Sequence, residues 1–199
     1  MANGTIAVSQ LEILTQSGTG IITVVPPTTN TNRTLTLPDV TGTLAVQGGT
    51  GVGKVLQVLQ TVKTDFFTTS STSFVDITGF SVSITPSSAS SKILIISHIH
   101  ASNDTTGQET RFQLRRNSTD IFLPTAGTSR NQTLSTGNLS ATNNIQNMAC
   151  TFLDSPNTTS STTYSYQLAV TGGTARLNGR GDGTSSGNTS SITVMEVAA

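Results

Sequence analysis

The chain has 199 residues, with 10 Lys and Arg against 10 Asp and Glu, so its formal net charge is zero. Only 10% of the residues are charged and 34% are hydrophobic. Neutrality argues against a nucleic-acid partner, which needs a basic face, and this apolar content at zero charge argues against a disordered chain, which pairs low hydrophobicity with high net charge.

Ser and Thr together make up roughly a third of the residues, an excess over ordinary composition. Thr is β-branched and fits pleated strands, whereas Ser, Asn and Gly serve turns. Many short strands are therefore expected, and long helices are not. The first residues, Met1-Ala2-Asn3-Gly4-Thr5, lack the basic and apolar regions of a secretory leader. No apolar run approaches the ~20 residues of a membrane-spanning helix, so no membrane insertion is expected.

Residues 1–50 carry short apolar segments separated by turn residues. Segments 6–8, 11–14 and 21–25 come first, and the last is stopped by Pro26 and Pro27. Segment 34–37 stops at Pro38, and 43–46 follows. None is long enough to bury a core alone. About fifty residues with few large side chains and no disulfide or metal are marginal as an isolated domain. The simplest remedy is self-association, in which identical strands of several chains cover one another. Residues 1–50 are thus expected to form an intertwined oligomeric stem or attachment region.

Residues 48–53 read as a glycine linker. With Lys54 they also match most of a Walker A loop, whose backbone N–H groups cradle phosphates while a Ser or Thr holds magnesium. Val55 stands where that hydroxyl is needed. The loop must also lead into a helix. Residues 55–62 read as a strand, although Leu56, Leu59 and Gln60 keep a helical alternative open. A hinge is the expected reading, and no nucleotide is expected as a cofactor.

Residues 51–199 give clearer signals. Segment 74–77 leads through Gly79 into 80–84, where alternate residues are apolar, and Pro86 ends it. Residues 93–100 are the central strand candidate. Segments 112–114, 121–123, 148–153, 164–170, 175–177 and 192–197 follow, while 124–144 is polar and strand-poor. Some eight to ten strands over ~145 residues predict an all-β, antiparallel sandwich of jelly-roll type. No strand–helix alternation occurs, which argues against a parallel α/β sheet.

Few groups could carry chemistry. His98 and His100 are the only histidines. At i and i+2 of a strand they share a face. One chain supplies two ligands, but three chains around a threefold axis would supply six nitrogens, enough for an octahedral transition metal. Asp104, Glu109 and Asp182 lie in Gly- and Asn-containing loops without the spacing of a calcium motif. Arg180-Gly181-Asp182 is an integrin-type tripeptide, and the missing leader argues against that use. Arg111, Arg115 and Arg116 form the one basic cluster, with Arg116 on the opposite strand face from the other two. Solvated charges are the expected reading. Cys150 has no partner for an intrachain disulfide and reads as a small buried hydrophobe. The acidic residues are scattered and no Gly-x-Ser-x-Gly elbow occurs, so no catalytic residues and no enzyme activity are expected.

Residues 24–44 open with Val24-Val25-Pro26-Pro27-Thr28-Thr29 and close with Leu37-Pro38-Asp39-Val40-Thr41-Gly42-Thr43-Leu44. This run resembles a segment common in tail-fibre and fibre-like virion proteins of phages, cyanophages among them. Four further stretches resemble a C-terminal fibre domain from the same source. They are Ser73-Phe74-Val75-Asp76-Ile77-Thr78-Gly79, residues 85–93, Phe152-Leu153-Asp154-Ser155-Pro156 and Ile192-Thr193-Val194-Met195-Glu196-Val197. Each motif alone is moderately specific, and their order along one chain is more so.

The resemblance implies a homotrimer in the virion, made in the host cytoplasm without a signal peptide. Residues 1–50 would attach to a tail or baseplate protein. Residues 51–199 would form the distal receptor-binding β-sandwich, facing a host-surface glycan or protein. Candidate contact loops are 101–110, 124–144 and 178–188, whose polar side chains can hydrogen-bond sugar hydroxyls. The resemblance implies no shared catalytic residues. It raises the case for metal at His98 and His100, since some fibre tips use His-x-His. So short an N-terminal region would give a fibre without an extended shaft. The alternatives are a structural virion protein, such as a capsid decoration or tail collar trimer, and a carbohydrate-binding module that works as a monomer.

Overall fold

The computed structural model describes residues 11–14, 21–24, 54–125, 133–138, 144–180 and 187–199. Among the described residues there are thirteen strands and no helix. The chain divides into two compact units, Met1–Gly48 and Gly49–Ala199.

In the first unit β1 (Leu11–Leu14) pairs antiparallel with β2 (Ile21–Val24). Leu11 lies opposite Val24 and Leu14 opposite Ile21, so these two segments pair within one chain. Segments 6–8, 34–37 and 43–46, the 25–44 part of the fibre-like run and the glycine stretch 48–53 lie outside the described residues.

The second unit begins with β3 (Val55–Lys63), β4 (Phe67–Thr69), β5 (Val75–Ile84) and β6 (Lys92–Asn103). Then come β7 (Glu109–Arg116), β8 (Thr119–Ile121), β9 (Ser135–Asn138) and β10 (Gln146–Asp154). β11 (Thr162–Val170), β12 (Ala175–Leu177) and β13 (Ser190–Val197) complete it. A six-stranded sheet runs β3-β13-β6-β12-β4, with β10 also on β6. β13 and β10 both pair with residues 93–98 of β6, so they occupy its two edges. A five-stranded sheet runs β5-β11-β7-β8, with β9 further along β7. Every pairing is antiparallel. The fold is all-β, an antiparallel two-sheet sandwich.

Period-2 alternation builds the core. Ile93, Ile95 and Ile99 of β6 and Ile192 and Val194 of β13 are fully buried. Phe80 and Ile84 of β5, Leu114 of β7, and Tyr164, Tyr166 and Leu168 of β11 meet them from the other sheet. Phe80 stacks on Tyr166 with ring centroids 5.7 Å apart. Tyr166 keeps its hydroxyl satisfied on Ser97 Oγ at 2.6 Å, across the sandwich.

Residues 55–62 form the strand read from their sequence: β3 satisfies its backbone on β13, from Lys63 opposite Ser190 to Val55 opposite Val197. That removes the helix a phosphate loop requires. The strand-poor stretch 124–144 contains β9, Ser-Thr-Gly-Asn, which has no apolar residue and owes its extension to pairing with β7. β4, three residues long, is likewise created by its neighbour β12.

One open side of the sandwich is closed by side chains rather than by a ladder. β3 and β5 are the facing edges. Gln57 Nε2 donates to Thr85 O, Thr61 Oγ1 to Ser81 O and Lys63 Nζ to Thr78 O, each at 2.8 Å. The free carbonyls of β5 are thereby blunted against pairing with another chain.

Asn178 ties the far ends of three strands. Its φ is +62°, a left-handed conformation that Asn tolerates better than most residues. Its side chain donates to Lys63 O (2.8 Å) and Asp65 O (3.1 Å) and accepts from Ser190 Oγ (2.6 Å). Its backbone N–H donates to His100 O at 2.8 Å. The residue is fully buried. Asn178→Ala leaves Lys63 O, Asp65 O and Ser190 Oγ without the side chain they bond and puts at positive φ a residue that tolerates it less well than Asn, so it is expected to lower stability by about 3 kcal/mol. The urea-unfolding midpoint measures this, and an unchanged midpoint would refute the role.

Candidate functional site

Two buried carboxylates flank one residue of the central strand. Ile93 pairs with Asp154 on one side and with Glu196 on the other. Glu196 is fully buried. It accepts Ser87 N and Ser87 Oγ at 2.7 Å and Gln57 Nε2 at 2.6 Å. Burial pushes its carboxyl up, but hydrogen bonds from Ser87, Gln57 and Ser91 outweigh this and hold its pKa at about 2. Asp154 accepts Arg116 Nη1 at 2.9 and 3.0 Å and Tyr164 OH at 2.7 Å. Burial, with the Asp154 carboxylate beside it, pushes the Tyr164 phenol far up. Lys92 Nζ donates to Ser155 Oγ at 2.8 Å.

Three stretches of the fibre-like pattern thus meet at one end of the sandwich. Ser87 belongs to 85–93, Asp154 and Ser155 to 152–156, and Glu196 to 192–197. Their carboxylates are enclosed by the chain's own donors, so their role is to hold strands together. Lys54, whose carbonyl accepts from Ala198 N at 2.9 Å, lies at the same end.

Arg116 departs from the expectation of solvated charge. It turns inward as a bridge from β7 to β10, while Arg111 and Arg115 stay on the outer face. Alternation put Arg116 on its own side of the strand, but no local pattern announced that Asp154 would face it.

The two sheets present opposite outer surfaces. On the five-stranded sheet, Ser81, Ser165, Arg115 and Asp120 form one cross-strand row. Arg115 pairs with Asp120 at 2.9 Å and approaches Asp76 at 3.8 Å, and Arg111 pairs with Glu109 at 3.0 Å. Ser83 and Thr163 share a hydrogen bond beside them. On the six-stranded sheet the corresponding row is Val58, Met195, Leu94 and Leu153. Next to it come Gln60, Thr193, Ile96 and Thr151, then Val62, Ser191, His98 and Ala149. Val58 is 52% exposed, Val62 51% and Leu153 54%.

His98 and His100 both lie on this second outer face, as their spacing predicts. His98 is exposed. His100 is half-buried, with Nδ1 3.0 Å from Thr189 O and Nε2 3.0 Å from Asn147 Nδ2. A tautomer protonated on Nδ1 satisfies both contacts, so a metal on Nε2 would first have to displace Asn147. Among the described residues no three His, Cys, Asp or Glu gather around one point.

The remaining candidates are placed separately. Asp104 Oδ1 accepts Thr174 N and Thr105 Oγ1 at 2.8 Å, and the Thr174 N–H chiefly holds its pKa below the ordinary value. Glu109 serves Arg111. Gly181 and Asp182 lie outside the described residues, which leaves the tripeptide begun by Arg180 without a geometry. Cys150 is buried and burial pushes its thiol up, which suits an inert core residue. Of the contact loops, 101–110 shrinks to 104–108 because β6 and β7 take its ends. In 124–144, residues 126–132 and 139–143 are outside the described set. In 178–188, Asn178 is buried structure rather than contact surface.

Two exposed aromatics escaped the sequence reading. Phe66 is 50% exposed, abuts Gly179 and carries the Arg176 guanidinium 5.6 Å from its ring centroid. Phe122 was counted within a strand, but β8 ends at Ile121 and Phe122 takes φ +56°. It stacks on Phe152 at 4.6 Å and, with Leu123, Pro124, Thr133 and Leu134, lines an open apolar cleft. Phe66 is followed by Phe67 and Phe122 lies between Ile121 and Leu123, so the local pattern reads as strand and does not mark either ring as exposed.

No protein-family model matches the sequence, and no curated protein matches it. Solved structures with a related outline include VP2 of infectious bursal disease virus. Its D431N mutant in T=1 particles is 12% identical with a TM-score of 0.37, over 77% of this chain and 40% of that one. The Gx-strain virus structure is 11% identical with a TM-score of 0.40, over 90% of this chain and 46% of that one. The chain spans less than half the length of these proteins. At such scores they carry no argument about it, and the architecture rests on its own strand pairing.

Glu196 has a folded pKa of about 2 against an ordinary value of 4.5. Its contribution to stability is therefore complete above pH 4.5 and drains away as pH falls towards 2. Glu196→Gln should flatten that acid limb, as read by unfolding midpoints between pH 2 and 6. Arg116→Ala leaves Asp154 without its cation and is expected to cost about 3 kcal/mol. An acid limb unchanged in the first variant, or a neutral-pH midpoint unchanged in the second, would count against the assigned pairings.

Proposed function

We propose that this chain is a non-enzymatic structural protein of a virion, a short homotrimeric tail fibre that attaches through residues 1–50 and binds a host-surface glycan with its sandwich. The observation that carries the reading is the meeting of 85–93, 152–156 and 192–197 around Ile93. Stretches linked over 63 residues (Lys92 to Ser155) and 109 residues (Ser87 to Glu196) form one interlocked unit, as expected if the fibre-like pattern encodes a fold rather than a coincidence of turns.

The polarity of the sandwich supports the direction of binding. Lys54 and the end of β13 lie together at the carboxylate end. The turn at 104–108, the Thr171–Thr174 bend that donates to it, and Phe66 with Arg176 lie at the other. Phe66 offers a stacking face and Arg176, 5.6 Å from its ring centroid, a donor, a pairing suited to a sugar ring. Several weak sites on one particle would bind jointly.

Light scattering on the full-length protein checks the assembly. The expected mass is three times 20.6 kDa. A monomer of 20.6 kDa would overturn the fibre reading and favour a carbohydrate-binding module. On a glycan array, Phe66→Ala should reduce retention at least tenfold for any glycan that the parent protein binds. A trimer that retains no glycan would instead favour a decoration or collar role.

A further inference from the structure

We infer that the outer face of the six-stranded sheet is where copies of this chain pack against one another, so that this sheet, and not the five-stranded one, faces the axis of the oligomer. The inference rests on the oligomeric reading above and adds the surface that makes it.

The first support is the contrast between the two outer faces. A sandwich needs one apolar face per sheet, and the inner faces already supply the core. A sheet that meets water on its second side alternates apolar with polar residues, as the five-stranded sheet does. There, Ser81, Ser165, Arg115 and Asp120 cross four strands. On the six-stranded sheet, the row Val58, Met195, Leu94 and Leu153 crosses four strands without a polar side chain. Ile96, Val62 and Leu56 extend it, and Leu56 is 40% exposed. β3 thus shows apolar residues where an edge strand of a monomer carries charge.

The second support is area. Four strands ~4.8 Å apart and about nine residues long at ~3.4 Å each give a face on the order of 550 Å². That is most of the ~800 Å² each partner contributes to a standard interface, and within it the apolar row is flanked by uncharged Gln60, Thr193, Thr151 and Ser191 and by His98.

The third support concerns the occupant. The three rows contain no Asp, Glu, Lys or Arg. Lys92, at the margin, is held by Ser155. A face without charge has no electrostatic means of selecting a foreign partner. It also meets no repulsion from its own copy, so identical faces can close around a symmetry axis. Around a threefold axis, three such flat faces form the walls of a prism.

The test uses the full chain. In one variant Val58, Leu94, Leu153 and Met195 are all changed to Thr, which keeps strand propensity and removes apolar contact. It should be folded by circular dichroism and fall to 20.6 kDa by light scattering, while the parent stays a multiple of that mass. A folded variant that keeps the parent's mass overturns the inference and leaves the oligomeric reading intact. A parent that is itself monomeric overturns both. Should the fourfold variant fail to fold, single thiols decide. Leu153→Cys should react with a maleimide at least tenfold more slowly than Ser81→Cys, which lies on the polar outer face. Equal rates overturn the inference. So does a slow Leu153→Cys reaction in a monomeric protein, which would mean that the chain covers its own face.

Discussion

The structure depends on the need to satisfy two carboxylates buried beside one residue of the central strand. Asp154 and Glu196 sit opposite Ile93 on its two neighbours. An ionised carboxylate removed from water must find donors or the fold fails. Glu196 finds them in Ser87 and Gln57, which pins the turn after β5 and the first half of β3. Asp154 finds them in Arg116 and Tyr164, which pins β7 and β11 of the opposite sheet. Those two sets of bonds tie the β3–β5 corner to β13 and β10 to the opposite sheet.

The donors differ in kind, and this divides the labour. Around Asp154 the partners include a guanidinium and the bond spans the sandwich. Around Glu196 every partner is neutral and the bonds tie the corner where β3 turns its side chains onto β5. Asn178 plays the equivalent part at the far end, again with neutral groups only. Both ends are therefore fixed by buried polar networks, and the aliphatic core between them needs only to be filled. Fixed ends leave the outer faces free to differ, one dressed in ion pairs and the other apolar.

Most of the strands were legible because alternation writes itself into sequences such as Phe80-Ser81-Val82-Ser83-Ile84. The 93–100 segment was readable as central because it opens with the unbroken apolar run Ile93-Leu94-Ile95-Ile96. β4 and β9 were not legible, since each is made by its neighbour rather than by its own residues. The same limit applies to the polar networks. Arg116 looked like one of three surface charges, and only the fold brings Asp154, 38 residues away, to meet it. The shared face of His98 and His100 was readable from spacing alone. The Asn147 amide on His100 was not, because it comes from another strand. Exposed aromatics such as Phe66 are defined by what fails to cover them, which no local pattern records.

The neutral character of the Glu196 corner has a consequence for ionic strength. Dissolved ions weaken attraction between exposed opposite charges, with a screening length of about 10 Å at 0.1 M salt. Arg115–Asp120 and Arg111–Glu109, on the outside of the five-stranded sheet, are open to that effect. Glu196 is buried among a backbone N–H, a hydroxyl and an amide, where there is no opposite charge to screen. Brine would slacken the decoration of one face while the corner keeps its grip, and the apolar face opposite would adhere more strongly as the solvent grows saltier.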